Sequence, residues 1–149
     1  MRTLASPGVL DSLTARFRGL TAAQSARWGS MSAHQMTLHI CDATEATLGR
    51  RPFAAKARSP NPMRKIVLLY ILPRFPRGVR SGAEPASRTV DATTYNTDVA
   101  RAAGLLAELA AAPADTLAAR HPILGAMTRD QWLRWAWMHT DHHLRQFGA

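Results

Sequence analysis

Two stretches of this chain open with the same device. Ser32-x-x-Gln35 and Thr128-x-x-Gln131 each set a hydroxyl residue three positions before a glutamine, ahead of a run with apolar residues at every third or fourth place. This is the capping-box pattern. The hydroxyl accepts from a backbone N–H one turn on, and the glutamine reaches back to the capping residue's own N–H. Each box predicts a helix start. After Ser32 the stripe is Met36, His39, Ile40, Ala43 and Thr47, and Gly49 provides the stop. After Thr128 the spacing predicts a helix from about Arg129 to Phe147, with Trp132, Trp135, Ala136, His139, His143 and Gln146 on one face.

Two further long segments have helical period. Val9, Leu10, Leu13, Phe17 and Leu20 follow Pro7 and predict a first helix over 7–20. Val99, Ala102, Ala103, Leu106 and Leu109 predict a helix over 95–112, which Pro113 ends. Pro62 can open a short helix running to Leu72, closed by "PRFPRG". Residues 50–60 and 73–92 read as loop. "RTVDATTY" is the one candidate extended piece, and no partner strand is evident for it. The expected class is all-α: a four-helix bundle with a long crossover between the second and third main helices. At 149 residues the chain suits a single domain, 1–149.

Composition narrows the function classes. With 46% hydrophobic and 19% charged residues, the chain can bury a core. Cys41 is its one cysteine, which excludes an intrachain disulfide and a cysteine-based zinc site. The N-terminus lacks an apolar run of signal-peptide length. The longest apolar run, "IVLLYIL" at 66–72, falls far short of the roughly 20 residues of a membrane span. A soluble, cytoplasmic protein is the expectation. The net charge of +9 is concentrated between Arg50 and Arg88, where ten Lys or Arg face the single acid Glu84. Such a field could attract nucleic acid. No recognition-helix pattern or interleaved aromatics accompany it, so nucleic-acid binding ranks last among the function classes.

The chemistry sits in the histidines. Three of the six, His139, His142 and His143, lie in "WMHTDHHLRQFG". His139 and His143 are four apart, which puts their Cβ atoms about 5–6 Å from one another on one helix face. Two imidazoles so placed can converge on one ion. His139 with His142 is a rival pair at a spacing of three. The apolar stripe through Trp132, Trp135 and Ala136 favours His143, since His142 falls towards its edge. A third ligand must come from another helix, and His39, mid-stripe on the second helix, is the candidate. His34 is turned roughly 140° from His39 and is expected to be exposed near the helix start. His121, before Pro122, reads as structural. Asp42, one turn after His39, is the candidate base or orienting carboxylate. Asp141 reads as a surface residue, and Cys41 as a small buried hydrophobe. Arg145 is a candidate for drawing an anionic substrate to the mouth of the site.

The stretches "WGSMSAHQMTLHICDATEATLG", Trp28 to Gly49, and "HPILGAMTRDQWLRWAWMHTDHHLRQFG", His121 to Gly148, resemble the DinB-like (DinB/YfiT-like) superfamily of metalloproteins. The second is similar to a subfamily of unknown function that pairs an HP-x-x-G turn with a closing helix ending in HHLRQFG. The two stretches cover about a third of the chain, and the basic middle, 50–92, lies outside them. The resemblance implies a four-helix bundle with a three-histidine site for a divalent ion, zinc or nickel foremost. Its ligand positions fall on His39, His139 and His143. Some relatives act on small thiols as transferases or isomerases, others as metal-dependent hydrolases. The expected function is thus a divalent-metal-dependent enzyme, a thiol transferase or hydrolase acting on a small molecule. The alternative is a stress-related protein that binds metal or a small molecule without turnover. Three protein nitrogens leave a position open, as catalytic zinc sites do. A homodimer is expected through apolar surface on the first helix or on "IVLLYIL".

Overall fold

The computed structural model describes residues 1–55, 59, 61–77 and 88–149. Five α-helices are present among them: α1 (Val9–Arg18), α2 (Ala33–Thr47), α3 (Pro62–Ile66), α4 (Tyr95–Ala111) and α5 (Arg129–Gln146). The chain is predominantly helical, in agreement with the all-α expectation. Among the described residues one two-stranded antiparallel ladder, β1 (Arg120–His121) with β2 (Gly125–Ala126), interrupts the helices. That hairpin was not foreseen, because its strands are two residues each and leave no periodic trace. The "RTVDATTY" segment does not form a strand. Its Asp91 side chain accepts from the Thr93 N–H and starts a 3₁₀ turn, Ala92–Thr94, that leads into α4.

The two histidine-bearing helices are fastened at both ends. Both capping boxes are fully formed: Ser32 accepts from the Gln35 N–H and Thr128 from the Gln131 N–H, and each glutamine reciprocates. At the C-termini, Gly49 and Gly148 take φ of 73° and 85°, the left-handed conformation that costs glycine no Cβ clash. The Arg50 N–H then bonds the Glu45 carbonyl and the Gly49 N–H that of Ala46. At the other helix, Ala149 bonds Leu144 and Gly148 bonds Arg145 in the same pattern. These are paired Schellman closures, which satisfy carbonyls a helix end leaves open. Helix ends fixed in this way set the register in which side chains face one another.

α2 packs against α4 and α5, and α1 packs against the same two helices. The core between them holds Leu13 and Phe17 of α1, Met36 and Ile40 of α2, Leu106 and Leu109 of α4, and Trp132, Leu133 and Leu144 of α5, all essentially inaccessible. Each such side chain contributes about 1.5–3 kcal/mol through burial. After α3 the chain widens into a π-helical turn, Val67–Ile71. There the Leu69 side chain is buried while its carbonyl accepts from Nε of Arg134 at 3.1 Å. Arg134 is itself buried, bonded to the Arg2 carbonyl and seated 4.7 Å from the centre of the Trp137 ring. It ties α5 to the N-terminus and to the π turn. Met63, Ile66, Tyr70 and Ile71 stay exposed on the outer side of this segment. Among the described residues no helix is long and apolar enough to cross a membrane.

Candidate metal centre

α2 delivers His39 and α5 delivers His139 and His143 to one place. One ring nitrogen from each lies within 4.8 Å of the others. The Nε2 atoms of His39 and His139 are 3.1 Å apart, across one hundred residues of sequence. Two nitrogens bound to one tetrahedral ion at 2.0–2.1 Å stand about 3.3 Å apart, so this spacing suits a shared ion with small adjustment. The rings meet edge to face, with centroids 5.0 Å apart for His39–His139, 4.9 Å for His39–His143 and 4.7 Å for His139–His143. Trp135, one turn before His139, stacks on its ring at 4.6 Å and holds it from behind. His143 Nδ1 lies 2.9 Å from Oε1 of Gln146.

Burial sets the protonation of all three. It pushes the His39 imidazole down to about 4, against which Asp42 pulls weakly upward. His143 falls to about 3, through burial and then through the neighbouring His39. His139 lies well below its ordinary value, first from burial and then from the other imidazoles around it. At neutral pH the cluster is uncharged. Neutral imidazole is the form that binds a metal ion, and three such nitrogens are a donor set that could take a divalent cation.

Comparison with known proteins adds one finding. The family described as a protein of unknown function, DUF1569, matches residues 8–149. The chain belongs to the DUF1569 family. No curated protein and no solved structure matches it.

The remaining candidates of this DUF1569 chain divide sharply. His142 does not enter the cluster: its Nδ1 faces the Phe75 carbonyl at 3.3 Å, and its ring lies edge-on to Trp28 and His143. His34 is not exposed. It is 3% accessible, and its Nε2 is 2.8 Å from Oδ2 of Asp98, a residue that α4 brings to this face of α2. Asp141 is not a surface residue either. It is half-buried, bridging Arg16 of α1 at 2.9 Å and Arg145 at 2.8 Å. Arg145 therefore spends one donor within its own helix. Asp42 is gripped by Arg51 and, at 2.6 Å, by Arg88. Cys41 is fully buried, its thiol pushed up to about 12 by burial, and inert at neutral pH.

His121 is structural in this DUF1569 protein, as its place before Pro122 suggests. Its Nδ1 accepts from the N–H groups of Ile123 and Leu124, at 3.1 and 3.2 Å, and closes the β1–β2 turn. Several cations of the basic middle are engaged within the chain: Arg50 pairs with Glu108, Arg51 and Arg88 with Asp42, and Lys65 donates to the Ala126 carbonyl. Lys56, Arg58 and Arg80 fall outside the described residues. Gln146 is the residue near the cluster whose bonding the spacing left unread, although its position three after His143 was a signal in plain view.

Proposed function

We propose that this protein is a DinB-like metalloprotein in which α1, α2, α4 and α5 form a four-helix bundle, with the crossover running through α3. His39, His139 and His143 hold one divalent cation, zinc or nickel. The observation that carries the reading is the convergence of three neutral imidazole nitrogens from two sequence-distant helices. A bound ion would supply Lewis acidity at its open position, towards a small thiol or a polarised carbonyl or ester group. The protein's own contribution is to keep the three nitrogens unprotonated, to fix His139 against Trp135, and to exclude water from the inner side of the cluster. The leading activity is transfer or hydrolysis on a small molecule, with a thiol as the preferred substrate class. The exposed apolar side chains of Ile66, Tyr70 and Ile71 support a homodimer in the same reading.

One observation favours a second reading. The Asp42 carboxylate, the candidate base, is shared by Arg51 and Arg88. A carboxylate held by two guanidinium groups is not free to orient an attacking water, which suits a centre that binds metal without turnover. The test has two stages. Protein purified without a nickel column and stripped of metal is titrated with zinc and with nickel. One ion per chain is expected, and none in His39→Ala or His143→Ala. Metal content unchanged in both variants sinks the reading. A panel of thiol-transfer and ester substrates then separates enzyme from binding protein.

A further inference from the structure

The last turn of α5 is clamped by the loop that precedes α2. The Arg27 N–H donates to the Gln146 carbonyl at 2.7 Å, and Nε2 of Gln24 donates to the Phe147 carbonyl. Both are carbonyls that a helix end leaves without an internal partner. The same loop also grips the Gln146 side chain. Nε2 of Gln146 donates to the Trp28 carbonyl at 2.6 Å, while Oε1 faces Nδ1 of His143 at 2.9 Å. Gln146 is buried, at 4% accessibility.

Chemistry fixes the direction of this relay. A main-chain carbonyl only accepts, so the amide nitrogen must be the end that meets Trp28. The amide oxygen also only accepts, so His143 must carry a proton on Nδ1. A neutral imidazole has one such proton. The lone pair is then on Nε2. Gly29 makes the close approach possible. At its φ of 81°, an added Cβ would stand 2.5 Å from Nε2 of Gln146 and displace the amide.

We propose that Gln146, locked by the Trp28 carbonyl, is the positioning residue that sets the tautomer of His143 and so decides which nitrogen the cluster offers. The consequence for metal rests on the three-histidine reading, but the tautomer is a property of the metal-free chain. With the proton on Nε2 instead, His143 would offer the cluster an N–H in place of a lone pair.

The experiment is a long-range proton–nitrogen correlation spectrum of the histidine rings, recorded on ¹⁵N-labelled, metal-free protein at neutral pH. His143 is expected to show the Nδ1–H tautomer with an unprotonated Nε2. Gln146→Leu removes the acceptor, so the fixed Nδ1–H pattern is lost and zinc affinity falls about 10–100-fold. Gln146→Glu keeps an acceptor for the Nδ1–H at the same reach but gives up the donor to the Trp28 carbonyl, so it is expected to retain more of the Nδ1–H pattern and of the affinity than Gln146→Leu, which a purely space-filling role would not predict. Gly29→Ala behaves like Gln146→Leu. An Nε2–H tautomer in the wild type overturns the proposal, as does an Nδ1–H pattern unchanged in Gln146→Leu. If that variant does not fold, the wild-type spectrum alone decides. Wild-type protein that shows the Nδ1–H pattern but binds no zinc removes the metal reading and leaves the tautomer assignment standing.

Discussion

His34 and His39 lie five residues apart on α2, both turned into the protein, and their surroundings divide them. His34 meets a carboxylate: Asp98 stands 2.8 Å away, and Thr94 donates to the same oxygen. That polar group is satisfied by partners within the chain. His39 meets two imidazoles, and its Nε2 faces another nitrogen that burial keeps neutral. No hydrogen bond to a carboxylate from His39 is found among the described residues. Burial alone therefore does not distinguish a structural histidine from a ligand. The partner divides them: the Nε2 atoms of His39 and His139, 3.1 Å apart, can share one proton in the metal-free chain and in the proposed reading turn to a cation instead.

Mutating each histidine tests this comparison most strongly. His39→Ala is expected to weaken zinc binding roughly 100-fold or more, since two protein ligands remain of three. Its thermal unfolding in the metal-free state should change less than that of His34→Ala, because its removal leaves no carboxylate without a partner. His34→Ala should do the opposite. It leaves the Asp98 carboxylate without its main partner and costs about 2–3 kcal/mol in urea unfolding, with zinc affinity within a few-fold of wild type. Equal metal loss in both variants would erase the distinction drawn here.

Acid gives a graded effect. The folded values of His39, His121 and His143, near 4, 4 and 3, all lie below the ordinary value of 6.5. Between the two the unfolded chain binds protons that the folded chain refuses. Stability is therefore at its full value above about pH 6.5 and declines as pH falls towards 4. Between pH 7 and pH 5 each of these three histidines is expected to cost the metal-free protein about 2 kcal/mol, roughly 5 kcal/mol in all, read from urea midpoints. The loss should shrink in His39→Ala. A pH-independent midpoint over this range would contradict the neutral, buried cluster. Smallest of all is Asp42→Asn. Its ion pairs are partly exposed, so the stability change should stay below about 1 kcal/mol, and metal stoichiometry should not change. A lost metal ion in Asp42→Asn would make this carboxylate part of the centre.

Most of the helical framework was legible because its signals are local. Ser32, Gln35 and Gly49 bracket α2 from within its own sequence, and Thr128 and Gln131 open α5 in the same way. The facing of His139 and His143 follows from a spacing of four. What could not be read depends on packing between distant segments. His34 looks like an exposed first-turn residue until α4 brings Asp98 to it from 64 positions away. Asp141 looks like a surface acid until Arg16 arrives from α1. The β1–β2 turn is closed by the His121 ring rather than by strand propensity, so periodicity has nothing to detect. The Gln146 relay was half legible: its reach to His143 is local, but its anchor on the Trp28 carbonyl is 118 residues away.

The most direct test of the account is X-ray absorption at the zinc edge of the stoichiometrically loaded protein. A first shell containing three imidazole nitrogens at about 2.0–2.1 Å is expected, with the signature lost in His39→Ala and in His143→Ala. A shell of oxygen donors alone, or a spectrum unchanged in both variants, would contradict it.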